Sequence, residues 1–196
     1  PQQQYDFTDP ESKIMKVNNK GWDQCGNAQA GVDEARQVII AGEVTDAAND
    51  KQQVDPLMSQ AQENIGDEES IDKASMDSGY FSESNVRWLE ERAMDGYVAT
   101  ARIKHHERVP AHPRGRRPQD LTVKETMARK LRTKKGRETY SKRRGIVEPV
   151  FGQIKGARGF VRFSMRGLAQ MKGEWSLVGL THNLLKLFSV QRLPVT

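Results

Sequence analysis

The sequence predicts an α/β fold, and three observations predict it. Residues 37–44, QVIIAGEV, form a β-branched run behind a shorter apolar run at 27–32, the pattern of a hairpin. Val54, Leu57, Met58 and Ala61 recur at helical spacing up to Gly66. A second helical set, Val86, Leu89 and Ala93, lies between two short strand-like segments at 74–77 and 96–100. The order is hairpin, helix, strand, helix, strand.

Along the chain, residues 1–20 read as an irregular leader in which only Ile14, Met15 and Val17 cluster. Asp33 to Arg36 make the hairpin loop, and Ser82 is placed to cap the second helix. Residues 101–139 interrupt the pattern with a run rich in Arg, Lys, Pro and His, read as a basic insertion with a helix over 121–132. Residues 21–100 and 140–190 form the main domain around it, and 191–196 form a tail. Gly167 opens an amphipathic helix with Leu168, Met171, Trp175, Val178, Leu184 and Leu187 at helical spacing, so Trp175 reads as core.

Composition bounds the function. The 196 residues are 36% hydrophobic with mean hydropathy −0.77, enough for one core, and no apolar run is long enough to cross a bilayer. A soluble intracellular protein is expected. Cys25 is the only cysteine and gets no chemistry. His105, His106 and His112 lack the partners of a zinc finger and read as solvated, whereas His182 reads as a core or interface histidine. Residues 1–100 hold 8 Lys/Arg against 20 Asp/Glu, a net of −12, while residues 101–196 hold 23 against 6, a net of +17. The second half therefore suits a polyanion, and the acidic first half suits cation ligands.

The candidate chemistry centres on residues 140–155. At about 100° per residue, Tyr140, Arg144, Glu148 and Lys155 share one stripe of a helix, with Val147, Phe151 and Ile154 beside it as core. Pro149 is expected to kink or break that helix next to Glu148. A carboxylate flanked by cations suits a metal site with phosphate nearby, although an ordinary Glu148–Arg144 pair explains the same pattern. Asp77 ends the 74–77 strand, the edge where α/β sheets place functional groups, although an Asp-Ser-Gly turn needs no function.

Four segments, GNAQAGVDEARQVIIAGEVTD, ASMDSGYFSESN, YSKRRGIVEPVFGQIKGARGF and GEWSLVGLTHNLLKLF, together resemble the C-terminal catalytic part of DDE-type transposases of bacterial insertion sequences. The resemblance implies a ribonuclease-H-like mixed sheet flanked by helices. It implies three acidic residues that hold two Mg2+ or Mn2+ ions for DNA strand cleavage and strand transfer. Asp77 matches the second aspartate and Glu148 the glutamate. Tyr140, Arg143 or Arg144, and Lys155 match the tyrosine, arginine and lysine that accompany the glutamate, and with Arg158 they are the expected phosphate contacts. Glu148 to Lys155 and Arg144 to Glu148 keep the family's six- and three-residue gaps, so one residue is extra before Arg144; helical phase favours Arg144, with Arg143 the alternative.

The first aspartate has no match. Asp9 is in the wrong setting and Asp33 is a turn residue, so the first catalytic strand is expected to be missing and the chain to be N-terminally truncated. By itself the chain is then expected to be inactive. The implied partners are transposon-end and target DNA and further copies of the chain, with no membrane, in the bacterial cytoplasm at the nucleoid. The rival expectations are a non-catalytic DNA-binding remnant and a hydrolytic nuclease of the same fold.

Overall fold

The computed structural model describes residues 7, 9–17, 21–101, 112–116 and 118–191, in two compact units. His105 and His106, most of the leader's first eight residues, the core of the basic run and the tail lie outside the described residues. One unit comprises residues 1–48, 57–65 and 146–196, the other residues 49–56 and 66–145.

In the first unit, β1 (Lys13–Val17) pairs antiparallel with β2 (Gly21–Cys25), and β3 (Asn27–Val32) with β4 (Ile39–Thr45). The β3–β4 hairpin is the expected one. Asp33 closes its loop by accepting from the backbone N–H of Ala35, Arg36 and Val38, the work of a turn aspartate. The strand β1 corrects the irregular leader. Its signal is weak because it has a single buried side chain, Met15, and because four of the five residues of β2 are exposed. Two strands, β1 and β2, thus precede the hairpin; β1 contains no aspartate and β2 contains Asp23.

The helix α1 (Val54–Ile65) ends at Gly66, whose φ of +87° suits glycine at a helix end. The long α5 (Leu168–Gln191) lies against β4. Trp175 is buried among Val44, Val150, Ile154 and Met171, and its Nε1 donates to the Gln29 carbonyl at 2.8 Å. A Cβ at Gly42 would stand 3.2 Å from that nitrogen, so glycine lets the strand approach the ring. The Asn183 side chain donates to the Ile39 carbonyl (2.8 Å) and accepts from its N–H (2.9 Å), continuing the strand's hydrogen bonding on to the helix. His182 is buried, with Nε2 2.9 Å from the Gln37 carbonyl. At the start of α5, Asp9 accepts from the Gly167 N–H and Glu11 from the Leu168 N–H, where carboxylates complement the helix dipole.

In the second unit, β5 (Lys73–Met76) and β6 (Asp95–Val98) are parallel and are joined through α2 (Glu83–Glu91). Ser82 caps α2 as expected, accepting from the Asn85 N–H. A Cβ at Gly96 would come within 2.7 Å of Leu89, which explains a glycine in β6 under this helix. The expected helix of the basic region is α3 (Val123–Arg132), opened by a reciprocal Thr122–Glu125 capping box. It is fastened to β6 by Lys130, which donates to the Gly96 carbonyl (2.8 Å) and pairs with Asp95 (2.6 Å). The fold is mixed α/β, but the described strands pair as three two-stranded sheets rather than as one mixed sheet. The physical reason is local pairing: each antiparallel pair is a hairpin of neighbouring strands, and the parallel pair belongs to the other unit.

α4 (Lys134–Gly152) starts six residues before the expected boundary and runs through Pro149. The irregularity expected there falls later, in a π-helical turn at Gln153–Ala157 closed by the Arg158 N–H on the Gln153 carbonyl. Burial of Val150 and Ile154 holds the helix across the proline. The inner stripe is centred on these two residues; Phe151 is partly buried and stacks on Trp175 at 6.1 Å, while Val147 is only half-buried.

Candidate metal and DNA site

Asp77 follows the C-terminal end of β5 and opens the 3-10 turn Ser78–Tyr80. Its extended backbone (φ −78°, ψ −177°) aims the side chain back along the turn, and Oδ1 accepts from the Gly79 N–H at 2.9 Å. The carboxylate is half-buried. A second carboxylate, that of Asp50, approaches the same glycine: a Cβ at Gly79 would collide with Asp50 Oδ2 and lie 3.1 Å from Asp77 Oδ1. Only glycine leaves room for both.

Tyr80 belongs to this cluster. Burial pushes its hydroxyl well above the usual tyrosine range, Asp50 and Asp77 push it further, and Arg143 acts in the opposite direction. The Arg143 guanidinium lies 5.6 Å from the Tyr140 ring centre, and its Nε is buried with no hydrogen-bond partner among the described residues. Within the second unit, then, two carboxylates, a phenol and a guanidinium gather at the C-terminal edge of a parallel strand pair. Arg143, rather than the exposed Arg144, is the arginine in this group.

Glu148 belongs to the other unit, exposed on the part of α4 whose Val150 side chain enters the core. The i, i+4 spacing of Tyr140, Arg144 and Glu148 lies wholly within α4. Lys155 falls in the π turn, where the 100° rule fails, so its place on that stripe does not follow; its Nζ stands 5.8 Å from the Phe151 ring centre. Arg158 is tied to α5: it donates to the Val178 and Thr181 carbonyls and to the Thr181 hydroxyl at 2.8 Å. Lys134, Lys135, Arg137, Lys142 and Arg144 are exposed along α4.

No group of three or more His, Cys, Asp or Glu that could hold a metal gathers among the described residues. The Asp77 carboxylate beside Gly79 nevertheless offers the hard oxygens that Mg2+ and Mn2+ take. His112 is exposed, with Nδ1 2.9 Å from the Pro113 carbonyl oxygen. Cys25 is half-buried, and burial followed by Asp23 raises its thiol pKa. No described helix is long and apolar enough to cross a membrane.

Sequence reasoning missed Asp50, Tyr80 and Asn85. Asp50 closes a turn-like stretch, and nothing in its neighbours shows that it meets Gly79, 29 positions later. The Gly-Tyr after Asp77 was the available signal, since a glycine beside a strand-end carboxylate marks a close approach.

No curated protein and no solved structure matches the chain. A family model, that of the transposase DDE domain, matches residues 3–184. With nearly the whole length covered, the chain belongs to the DDE transposase family.

Proposed function

We propose that the chain is the catalytic part of an insertion-sequence transposase, working by metal-dependent DNA strand cleavage and strand transfer on a ribonuclease-H-like fold. The observation that carries this reading is Asp77, a carboxylate at the C-terminal edge of a parallel strand pair with the carboxylate of Asp50 beside it. Asp77 and Glu148 would hold divalent ions, Mg2+ or Mn2+, two in the full site. When bound, such ions make a water or 3′-hydroxyl a better nucleophile and stabilise the leaving oxygen.

The chain's own residues do the rest. Arg143, with its buried donor unspent, suits a backbone phosphate beside Asp77, and Tyr140 braces its guanidinium. The exposed cations of α4, with Lys155, neutralise further phosphates, so DNA binding falls steeply with salt. Arg158 contributes by fastening the chain after α4 to α5, which supports the Glu148 end of the helix. Copies of the chain would assemble on the DNA ends.

The test is cleavage of a labelled duplex with Mg2+ or Mn2+, comparing this chain and an upstream-extended one, each beside its Glu148→Gln variant. Cleavage that the variant abolishes supports the reading. Salt-sensitive binding with no cleavage from either chain identifies a DNA-binding remnant, and hydrolysis without joining identifies a nuclease.

A further inference from the structure

We propose that Asp50 is a positioning residue for Asp77, holding the Ser78–Tyr80 turn in the one shape that presents the Asp77 carboxylate. The inference rests on the reading of Asp77 as a metal-holding carboxylate and adds to it a residue far away in sequence.

Three contacts lead to it, all within one unit. First, Asp50 Oδ2 occupies the space in which any side chain at position 79 would stand, so the carboxylate rests directly against the turn. Second, the backbone that carries Asp50 is locked to the same turn. Asn85, buried at the start of α2, spends both hydrogens of its amide nitrogen, one on the Lys51 carbonyl and one on the Tyr80 carbonyl, each at 2.7 Å. Third, the Gln53 N–H donates to the Asp50 carbonyl at 3.0 Å, closing the local bend that carries Asp50.

Asp50 and Asp77 both stand against Gly79, so the turn is bounded by a side chain from each side. The Asp77 turn itself needs support: it is a single 3-10 turn whose Tyr80 and Phe81 N–H contacts to Asp77 and Ser78 are long, at 3.3 and 3.4 Å. Asp50 and Asn85 supply that support from outside. With the turn fixed, Asp77 Oδ1 stays on the Gly79 N–H and the orientation of the other oxygen is set before any ion arrives, which is preorganisation of a ligand.

The experiment measures Mn2+ affinity by calorimetry and amide exchange at residues 79–81 in this chain and in Asp50→Ala, Asp50→Asn, Gly79→Ala and Asp77→Asn variants. The expected result is that Asp50→Ala speeds exchange at residues 79–81 at least tenfold, with β5 and β6 amides unchanged, and weakens Mn2+ binding at least tenfold. Asp50→Asn, which keeps the shape and the hydrogen-bonding capacity, restores most of both. Gly79→Ala, which crowds both the Asp50 carboxylate and Asp77 Oδ1, speeds exchange at residues 80 and 81 at least as much as Asp50→Ala.

Unchanged exchange at residues 79–81 in Asp50→Ala overturns the proposal. So does a loosened turn with unchanged Mn2+ affinity, which makes Asp50 merely structural. An Asp50→Asn variant that loses Mn2+ as completely as Asp77→Asn while keeping a tight turn also overturns it, by making Asp50 a ligand. Failure of the underlying reading is separate and visible first: the unmodified chain then binds no Mn2+ that Asp77→Asn abolishes, and the positioning role falls with it.

Discussion

The two compact units use their polar side chains in opposite ways. In the unit built on β3, β4 and α5, Trp175, His182, Asn183 and Arg158 each donate to or approach a backbone carbonyl of a neighbouring element. Most of their hydrogen-bonding capacity is spent in holding the fold, although the buried His182 Nδ1 has no partner among the described residues. In the unit built on β5 and β6, Asp50 and Asp77 crowd one glycine, and a buried Arg143 nitrogen donates to nothing among the described residues. Carboxylates gathered at a strand end are where α/β folds place ligand chemistry. In the first unit the polar groups tie elements together; in the second they collect at one edge.

The contrast can be broken by mutation. Trp175→Ala should have the largest effect, about 3–5 kcal/mol in urea unfolding, because it opens a cavity against Val44, Ile154 and Met171 and leaves the Gln29 carbonyl without its donor. A loss below 1 kcal/mol would mean that the β4–α5 core is not the scaffold.

Asp95 sharpens the comparison from inside the second unit, because it is a carboxylate of the scaffold kind. Burial tends to raise its pKa, but hydrogen bonds from Lys130, Lys135 and Tyr97 outweigh this and hold it well below the usual 3.8. Its contribution is therefore present above that pH and is lost as the pH falls below it. Asp95→Asn should cost about 1.5–3 kcal/mol at neutral pH without a direct effect on Mn2+ affinity. Asp77→Asn should do the reverse, leaving unfolding within about 0.5 kcal/mol while removing metal binding. If both variants behave alike, the distinction between scaffold and site carboxylates fails.

Asn183→Ala should cost about 1–3 kcal/mol, since the Ile39 N–H and carbonyl both lose their partner. The smallest effect is that of His182. Burial, with Lys186 and Arg158 nearby, holds its pKa below 6.5, so the fold prefers the neutral ring. Its stabilisation is complete above pH 6.5 and declines below it, by at most about 1.4 kcal/mol per pH unit. Unfolding measured between pH 7.5 and 5.5 should show this slope, and His182→Gln should flatten it.

The parts legible in the sequence were those whose cause is local. The β-branched run at 39–45, the Ser82 cap, the turn at Asp33 and the apolar spacing of α5 each carry their signal within a few residues. The strand-end position of Asp77 was legible because it is a local property, and the place of Glu148 on α4 because helical spacing is one too. What stayed hidden depends on distant contacts. β1 is specified by pairing with β2 rather than by its own apolar content, and Asp50 gains its meaning from a glycine 29 residues away. Pro149 misled because its intrinsic cost is read locally, whereas the burial of Val150 and Ile154 that outweighs it is tertiary. Helical phase favours Arg144 and the electrostatics at Tyr80 single out Arg143, so both stand as candidates for the phosphate contact.

Asp77 and Glu148 are proposed above to act on the same metal ions. The most direct measurement is a double-mutant cycle on Mn2+ affinity with Asp77→Asn, Glu148→Gln and the pair. Each single change should weaken binding at least tenfold, and the double variant should be scarcely weaker than the worse single. A Glu148→Gln protein that binds Mn2+ as tightly as the unmodified chain, or two losses that simply multiply, would contradict it.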